Sequence, residues 1–258
     1  MKTTLITGAS AGIGKALSYK FASKGHDLII TARRESELEK IKKDIEAKYP
    51  VNVTVKVCDL ALEGNAEKLY NDLKDFNIEV LINNAGFGDI SFPWDMNLDK
   101  ADRMIDLNVK SLTKLSLLFV KEYADSDATL INVASVGGYS QFDVSVTYCA
   151  TKFYVSSFTE GLASVLKTQG KKMRAKVLAP GATESEFVIR ASEDAGINDG
   201  ESLFNPEAYI TAEKLSDYTY ELYESDKVVG IVNDKNFELK APVYPMFNLA
   251  DLDNQLKR

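Results

Sequence analysis

One histidine, His26, and two cysteines, Cys58 and Cys149, are all that the chain has of the residues most used to grip transition metals and to build disulfides. A disulfide scaffold and a cysteine-rich or histidine-rich metal centre are excluded by count, so no metal is expected. A Ser-His-Asp triad is excluded as well, because "KGHDLII" sets the single histidine just ahead of a strand, where it reads as a solvated loop residue. Reduced thiols fit an intracellular, cytoplasmic protein. Clusters of positive charge are missing too: 38 acidic against 31 basic residues leave a formal charge of −7, and no basic patch suggests nucleic acid as a partner. Long apolar runs are absent, the best being stretches such as "LSLLFV" at 115–120, so no membrane span is expected. The opening "MKTTLITGAS" has neither the apolar core nor the cleavage site of a signal peptide. No linker rich in Pro, Gly or Ser divides the chain, and residues 1–258 read as one domain.

What is present is an alternation of short β-branched runs with longer stretches of helical period. Strands are expected at 3–7, 27–32, 53–57, 79–83, 128–134, 174–179 and 227–232. Helices are expected near 12–24, 35–48, 62–74, 98–123, 148–168 and 207–224. Strict alternation needs crossover connections, hence an α/β doubly wound, mainly seven-stranded parallel sheet with helices on both faces, a Rossmann-type single domain. Ligands of such folds lie beyond the carboxyl ends of the strands.

The first expected strand runs into "TGASAGIG", with Gly8, Ser10, Gly12, Ile13 and Gly14 leading into a helix. Glycines allow a tight turn and the close approach of a diphosphate, and the helix beyond offers free N–H groups. The spacing is GxxxGxG, and a purely structural turn would use glycines in the same way. Nineteen residues past Gly14, where an acidic residue would hold an NAD ribose, stand Arg33 and Arg34. A guanidinium suits a 2′-phosphate, so NADP is expected over NAD. The same arginines could pair with Glu35, Glu37 or Glu39 on the next helix.

Taken with "CDL" at 58–60, "NNAG" at 83–86, Ser135 in "NVASVGG", "YCATK" at 148–152 and "PGAT" at 180–183, the chain resembles the compact single-domain branch of the short-chain dehydrogenase/reductase family over about its first 185 residues. The resemblance implies that Asp59 with Leu60 meets the adenine, that Asn84, Ala85 and Gly86 line the adenosine side, and that Pro180, Gly181 and Thr183 lie near the nicotinamide. It implies a catalytic tetrad of Asn108, Ser135, Tyr148 and Lys152, with Lys152 also holding the nicotinamide ribose. It also implies a homodimer or homotetramer built through "LTKLSLLFV" and "FYVSSFTEGLASVL", stripes that could equally cover the sheet.

The residues carry their own case. An i,i+4 pair lies only about 40° apart around a helix, so Tyr148 and Lys152 can project to one site. A carbonyl receiving hydride needs a proton, and Tyr148 is the candidate general acid, its pKa expected to fall beside an ammonium and an oxidised nicotinamide. Ser135, at the carboxyl end of the fifth strand, can donate to the carbonyl oxygen. Asn108 could hold a relay water or simply satisfy a nearby carbonyl. Cys149 points about 100° away from Tyr148 and reads as packing more than as a nucleophile.

On the substrate side, the polar, acidic segment 184–206 reads as a lid. Phe87, Phe92, Trp94, Tyr139, Phe142, Phe187 and Phe204 are candidates for an apolar wall, with Arg190 as an anion anchor. The tail 233–258 could shield this pocket or meet a neighbouring copy. The expected activity is hydride transfer between NADP(H) and a small ketone, aldehyde or secondary alcohol. The alternative is a catalytically idle NADP-binding regulator or scaffold.

Overall fold

The computed structural model of the chain describes residues 2–183, 187, 191, 209–233 and 236–243. Eight strands form one sheet: β1 (Thr3–Thr7), β2 (Asp27–Ala32), β3 (Val53–Val57), β4 (Ile78–Asn83), β5 (Thr129–Val133), β6 (Arg174–Ala179), β7 (Val229–Asn233) and β8 (Asn236–Lys240). Their order is β3-β2-β1-β4-β5-β6-β7-β8. The first seven are parallel, and β8 pairs antiparallel with β7. The helices are α1 (Gly12–Ser23), α2 (Glu35–Lys48), α3 (Asn65–Asn71), α4 (Leu98–Ile105), α5 (Leu112–Tyr123), α6 (Val146–Thr168) and α7 (Ala212–Glu224).

Both faces of the sheet are buried, which is why the strands read as continuous apolar runs. In β1 and β2 the two-residue period splits the load. Ile6, Leu28 and Ile30 pack with Leu17, Phe21, Leu38 and Leu215 on one side, while Leu5 and Ile29 join Leu69, Leu115, Phe119 and Leu166 on the other. The chain winds outward from β1 to β3 and returns to β4 beside β1. The carboxyl ends of β1 and β4 therefore diverge into a crevice at the topological switch point. Among the described residues no helix is long and apolar enough to cross a membrane.

Four local expectations are corrected. The sheet has an eighth strand, made from the start of the tail: "NFELK" places Phe237 and Leu239 on one face, and Phe237 stacks on Tyr218 at 4.4 Å. The expected helix 98–123 is broken by a π-helical turn, Asp106–Ser111, between α4 and α5. Helix α7 begins at Ala212 because Thr211 caps it, its Oγ1 accepting from Lys214 N at 3.1 Å. His26 is buried, 4% exposed, with Nδ1 2.7 Å from Thr4 Oγ1 and its ring edge-on to Phe21 and Tyr223. The flanking Gly25, at φ 80°, marks a turn in the sequence, but α7 returns to cover that turn, and only tertiary packing reveals this.

Burial, assisted by the Lys2 ammonium, lowers the His26 pKa from 6.5 to about 4. The neutral ring therefore stabilises the fold fully above pH 6.5, and that contribution is lost as pH falls toward 4. Urea unfolding should register on the order of 2 kcal/mol more loss between pH 7.5 and pH 5 in the wild type than in His26→Gln. Equal losses in the two proteins would refute the assignment.

Candidate active site

Four residues lace the ends of β1 and β4 together. Asn84 donates from Nδ2 to Thr7 O at 3.0 Å and to Gly8 O at 3.3 Å, while Thr7 Oγ1 accepts from Asn84 N at 3.0 Å and from Ala85 N at 2.9 Å. Gly8 and Gly12 take φ of 68° and 49°, the left-handed region in which a side chain is strained. At Gly14 the constraint is contact: a Cβ would lie 2.3 Å from Gly8 O and 2.6 Å from Asn84 Nδ2. The turn thus seats the start of α1 against the sheet, and no side chain caps that start. Ile13 packs against the core beside it.

Of the two arginines, Arg33 is exposed, while Arg34 turns to the glycine loop. Its Nε donates to Ser10 Oγ at 3.3 Å and its Nη2 to Ser10 O at 3.4 Å. Asp59 is engaged on both oxygens: Oδ2 pairs with Arg103 Nη2 at 2.6 Å and Oδ1 accepts from Ala61 N at 3.1 Å. Leu60 is buried, its carbonyl bonded to the Ser111 hydroxyl. Arg103 carried no signal in the sequence, since an arginine on a solvated helix face is unremarkable until α4 is set beside the end of β3.

Ser135 follows β5 and caps a short 3-10 turn, Val136–Gly138, with Oγ accepting from Gly137 N at 3.0 Å. It lies beside the Tyr148 phenol, whose anion it favours. Tyr148 and Lys152 occupy successive turns at the start of α6, with Lys152 Nζ 5.7 Å from the tyrosine ring centroid. Lys152 is buried, 5% exposed, and donates to Val133 O at 2.9 Å. Asn108 stands on the π turn facing α6. Its Nδ2 donates to Phe87 O at 2.8 Å and Thr151 Oγ1 at 3.2 Å, and its Oδ1 accepts from Phe87 N at 3.2 Å. A Cβ on Gly86 would sit 3.0 Å from Asn108 Oδ1 and 3.5 Å from Lys152 Nζ. The fold therefore brings Gly86, Asn108, Ser135, Tyr148 and Lys152 to one place.

Burial opposes the drop expected of the Tyr148 pKa. Burial pushes the phenol well above its ordinary value of 10, outweighing the Ser135 hydrogen bond. Burial also lowers Lys152 from 10.5 to about 8, so the charge meant to depress the tyrosine is itself weakened. Cys149 is fully buried and its thiol pushed up by burial, as a packing residue should be.

Beyond the sheet, Pro180 O accepts from Val136 N at 2.9 Å, and Thr183 Oγ1 donates to Gly181 O at 3.1 Å. Of the aromatic candidates, Phe187 reaches Tyr148, with ring centroids 5.4 Å apart. A Cβ on Gly88 would meet Phe187 Cζ at 2.7 Å. Phe92 and Trp94 stack on each other at 4.9 Å and are exposed, as is Phe142. Tyr139 does not line the site: it packs with Phe158 and Val228, its hydroxyl bonded to Glu160 Oε1 at 2.6 Å. Phe204, Arg190 and nearly all of 184–206 lie outside the described residues, as do positions 244–258 of the tail.

A polar hub beside Tyr148 escaped the sequence. Asp89, buried, pairs with Lys100 Nζ at 2.6 Å and bonds the Ser91 hydroxyl, and its carbonyl accepts from Ser145 Oγ at 2.9 Å. Ile90 N donates to Ala191 O at 3.0 Å and Ser91 N to Val144 O at 2.7 Å. Asp89, Ser91, Met96 and Ser145 line a small hollow against Tyr148. Their spacing matches no motif, because the hub joins three loops far apart in the chain.

The family model described as short chain dehydrogenase matches residues 2–196. The chain belongs to this family of oxidoreductases. It is 35% identical over 195 residues to the NADP-dependent 3-hydroxy acid dehydrogenase of Schizosaccharomyces pombe, covering 73% of this chain and 74% of that one. It is 30% identical over 222 residues to sulfoacetaldehyde reductase 2 of Chromohalobacter salexigens, covering 84% and 86%. Among solved structures, a short-chain dehydrogenase from Sphingobium yanoikuyae in complex with NADPH superposes with a TM-score of 0.80 at 28% identity, covering 90% of this chain and 87% of that one.

The residues present fit a phosphate-bearing dinucleotide. The uncapped start of α1 and the glycine turn offer main-chain N–H groups, Arg34 lies over Ser10 at the rim, and Lys152 is held by a single hydrogen bond to Val133 O. Gly14→Ala should break this arrangement, because the new methyl meets main chain that cannot yield. A loss of roughly 2 kcal/mol or more in unfolding free energy and of dinucleotide binding is expected, against about 1 kcal/mol for Gly25→Ala, where φ is 80° but nothing lies within 4 Å. Urea titration and NADPH fluorescence titration of both variants check this, and equal effects would overturn it.

Proposed function

We propose that the chain is an NADP(H)-dependent reductase of small ketones or aldehydes, working in reverse on secondary alcohols, with Tyr148 as the proton donor and acceptor. The observation that carries this reading is the convergence of Ser135, Tyr148 and Lys152 at the carboxyl end of β5, beside the glycine turn. When bound, the nicotinamide supplies or accepts the hydride. Ser135 donates to the substrate oxygen as negative charge grows there. Tyr148, held protonated by burial, passes its phenolic proton to that oxygen. Lys152 holds positive charge behind the tyrosine and binds ribose hydroxyls, and Asn108 fixes the Phe87 main chain and, through Thr151, the first turns of α6. Arg34 with Arg33 takes the 2′-phosphate that favours NADP. Gly8, Ser10, Gly12, Ile13 and Gly14 cradle the diphosphate. Asp59 and Leu60 lie at the adenine, Asn84, Ala85 and Gly86 along the adenosine side, and Pro180, Gly181 and Thr183 near the nicotinamide. Exposed Leu117, Tyr154 and Val165 on α5 and α6 support association with further copies of the chain.

The test follows NADPH oxidation against a panel of ketones and aldehydes. The panel includes 3-oxo acids and sulfonated aldehydes, since the names of both relatives carry an acid group. Tyr148→Phe should cut turnover by about 10²–10⁴-fold with NADPH binding retained. Tight NADPH binding with no carbonyl turned over by the wild type would instead favour an idle binding protein. Because Lys152 titrates near 8 and Tyr148 well above 10, kcat/KM for reduction should fall as pH rises past about 8. A flat profile to pH 9.5 would remove Lys152 from its role. Arg34→Ala should erode the preference for NADPH over NADH by at least about tenfold, and an unchanged ratio would refute the 2′-phosphate assignment.

A further inference from the structure

A cavity of about 490 Å³ lies at the opposite end of the sheet from Tyr148. It opens where β1, β2 and β6 begin and α7 ends, and its walls are charged. Lys2 Nζ donates to Tyr223 Oη at 2.9 Å and lies 5.5 Å from that ring, while the Arg174 guanidinium carbon lies 5.9 Å from the same ring. Lys24 Nζ stands 5.0 Å over Tyr220. The two tyrosine rings, 5.4 Å apart, thus form a platform that gathers three cations in a chain of net charge −7.

These cations are poorly neutralised. Among the described residues no carboxylate lies within 4 Å of Lys2 or Lys24, and Arg174 pairs with Asp127, exposed and 3.5 Å away. Arg174 Nε is buried with no hydrogen-bond partner. Of the lining residues only Glu224 is acidic, and Glu79 and Asp127 act on Lys2 from farther off. The carbonyl ends of α1 and α7 point to this face and by themselves would repel an anion; three cations against one lining carboxylate reverse that balance. His26 also borders the cavity. Its Nδ1 is bonded to Thr4 Oγ1.

We propose that this basin is a second binding site, for the phosphate group of a small metabolite, held by Lys2, Lys24 and Arg174. A guanidinium and two ammonium groups along one basin wall suit a compact, multiply charged oxyanion. The cavity has room for pyrophosphate or a pentose phosphate. Helix α1 joins the basin, where it ends, to the glycine turn, where it starts.

Calorimetric titration of the full chain in excess NADPH with inorganic pyrophosphate, and separately with ribose 5-phosphate, tests the site and distinguishes a free polyphosphate from a phosphorylated metabolite. Binding of either that weakens steeply with added salt is expected. It should weaken at least about tenfold in Lys24→Ala/Arg174→Gln and be unchanged in Arg34→Ala. No binding at millimolar concentration, or an affinity that the double substitution leaves intact, overturns the proposal. So does a loss in Arg34→Ala, which would place the anion in the glycine turn. Circular dichroism of the double variant guards against misfolding, and Lys24→Glu provides a second probe from a residue at the end of its helix.

Discussion

The side chain of Asn84 ties the end of β4 to the turn that leaves β1, and the candidate site is built outward from that tie. Its amide takes the carbonyls of Thr7 and Gly8, and the space it fills is the space a Cβ on Gly14 would need. A glycine at position 14 and an asparagine at position 84 are thus two halves of one constraint. Two residues on, Gly86 is pressed against Asn108 and Lys152, so the geometry of the glycine turn is passed to the proposed proton-transfer group through three residues of main chain. Loosening the tie would shift both ends of the site together.

Desolvation lowers two lysines in the same direction with opposite meaning. Lys152 and Lys176 are each lowered to about 8, chiefly by burial. Lys176, on β6, has its ammonium clamped between Ser225 O and Lys227 O at 2.8 and 2.7 Å, closing the chain after α7. Lys152 has one carbonyl, a tyrosine face and a glycine beside it. A perturbed pKa marks a functional site only when the surroundings leave the group something further to bind. The same criterion separates His26, whose neutral ring is a stability device, from a catalytic base.

At the π turn Asp106–Ser111 a helix departs from its regular period, and Asn108 sits within it. The wider turn interrupts a stretch that reads as a single helix and brings Asn108 within reach of both Phe87 main-chain groups and Thr151. On the substrate side the organising group is Asp89, which ties its own loop to Ser145 and to Lys100 on α4 next to Tyr148, while the adjoining Ile90 holds Ala191. Loops of this kind vary in length and composition while the sheet beneath them does not.

By itself the sequence determined the layered α/β architecture, seven of the eight strands nearly to the residue, and the positions of the glycine turn, Ser135, Tyr148 and Lys152. Those features follow from local rules: the two-residue and 3.6-residue periods, the conformational freedom of Gly8 and Gly12, and the i,i+4 spacing on α6. Tertiary structure alone decided that Arg34 turns to Ser10, that Asp59 is paired with Arg103, that Tyr139 turns away to Glu160, and that His26 is buried under α7. It also decided the sign of the Tyr148 shift, because burial and charge oppose each other and their balance depends on how deeply the fold encloses the phenol. Contacts among residues distant in the chain leave no periodic trace, so the residue types that could make them were visible while the partners they chose were not.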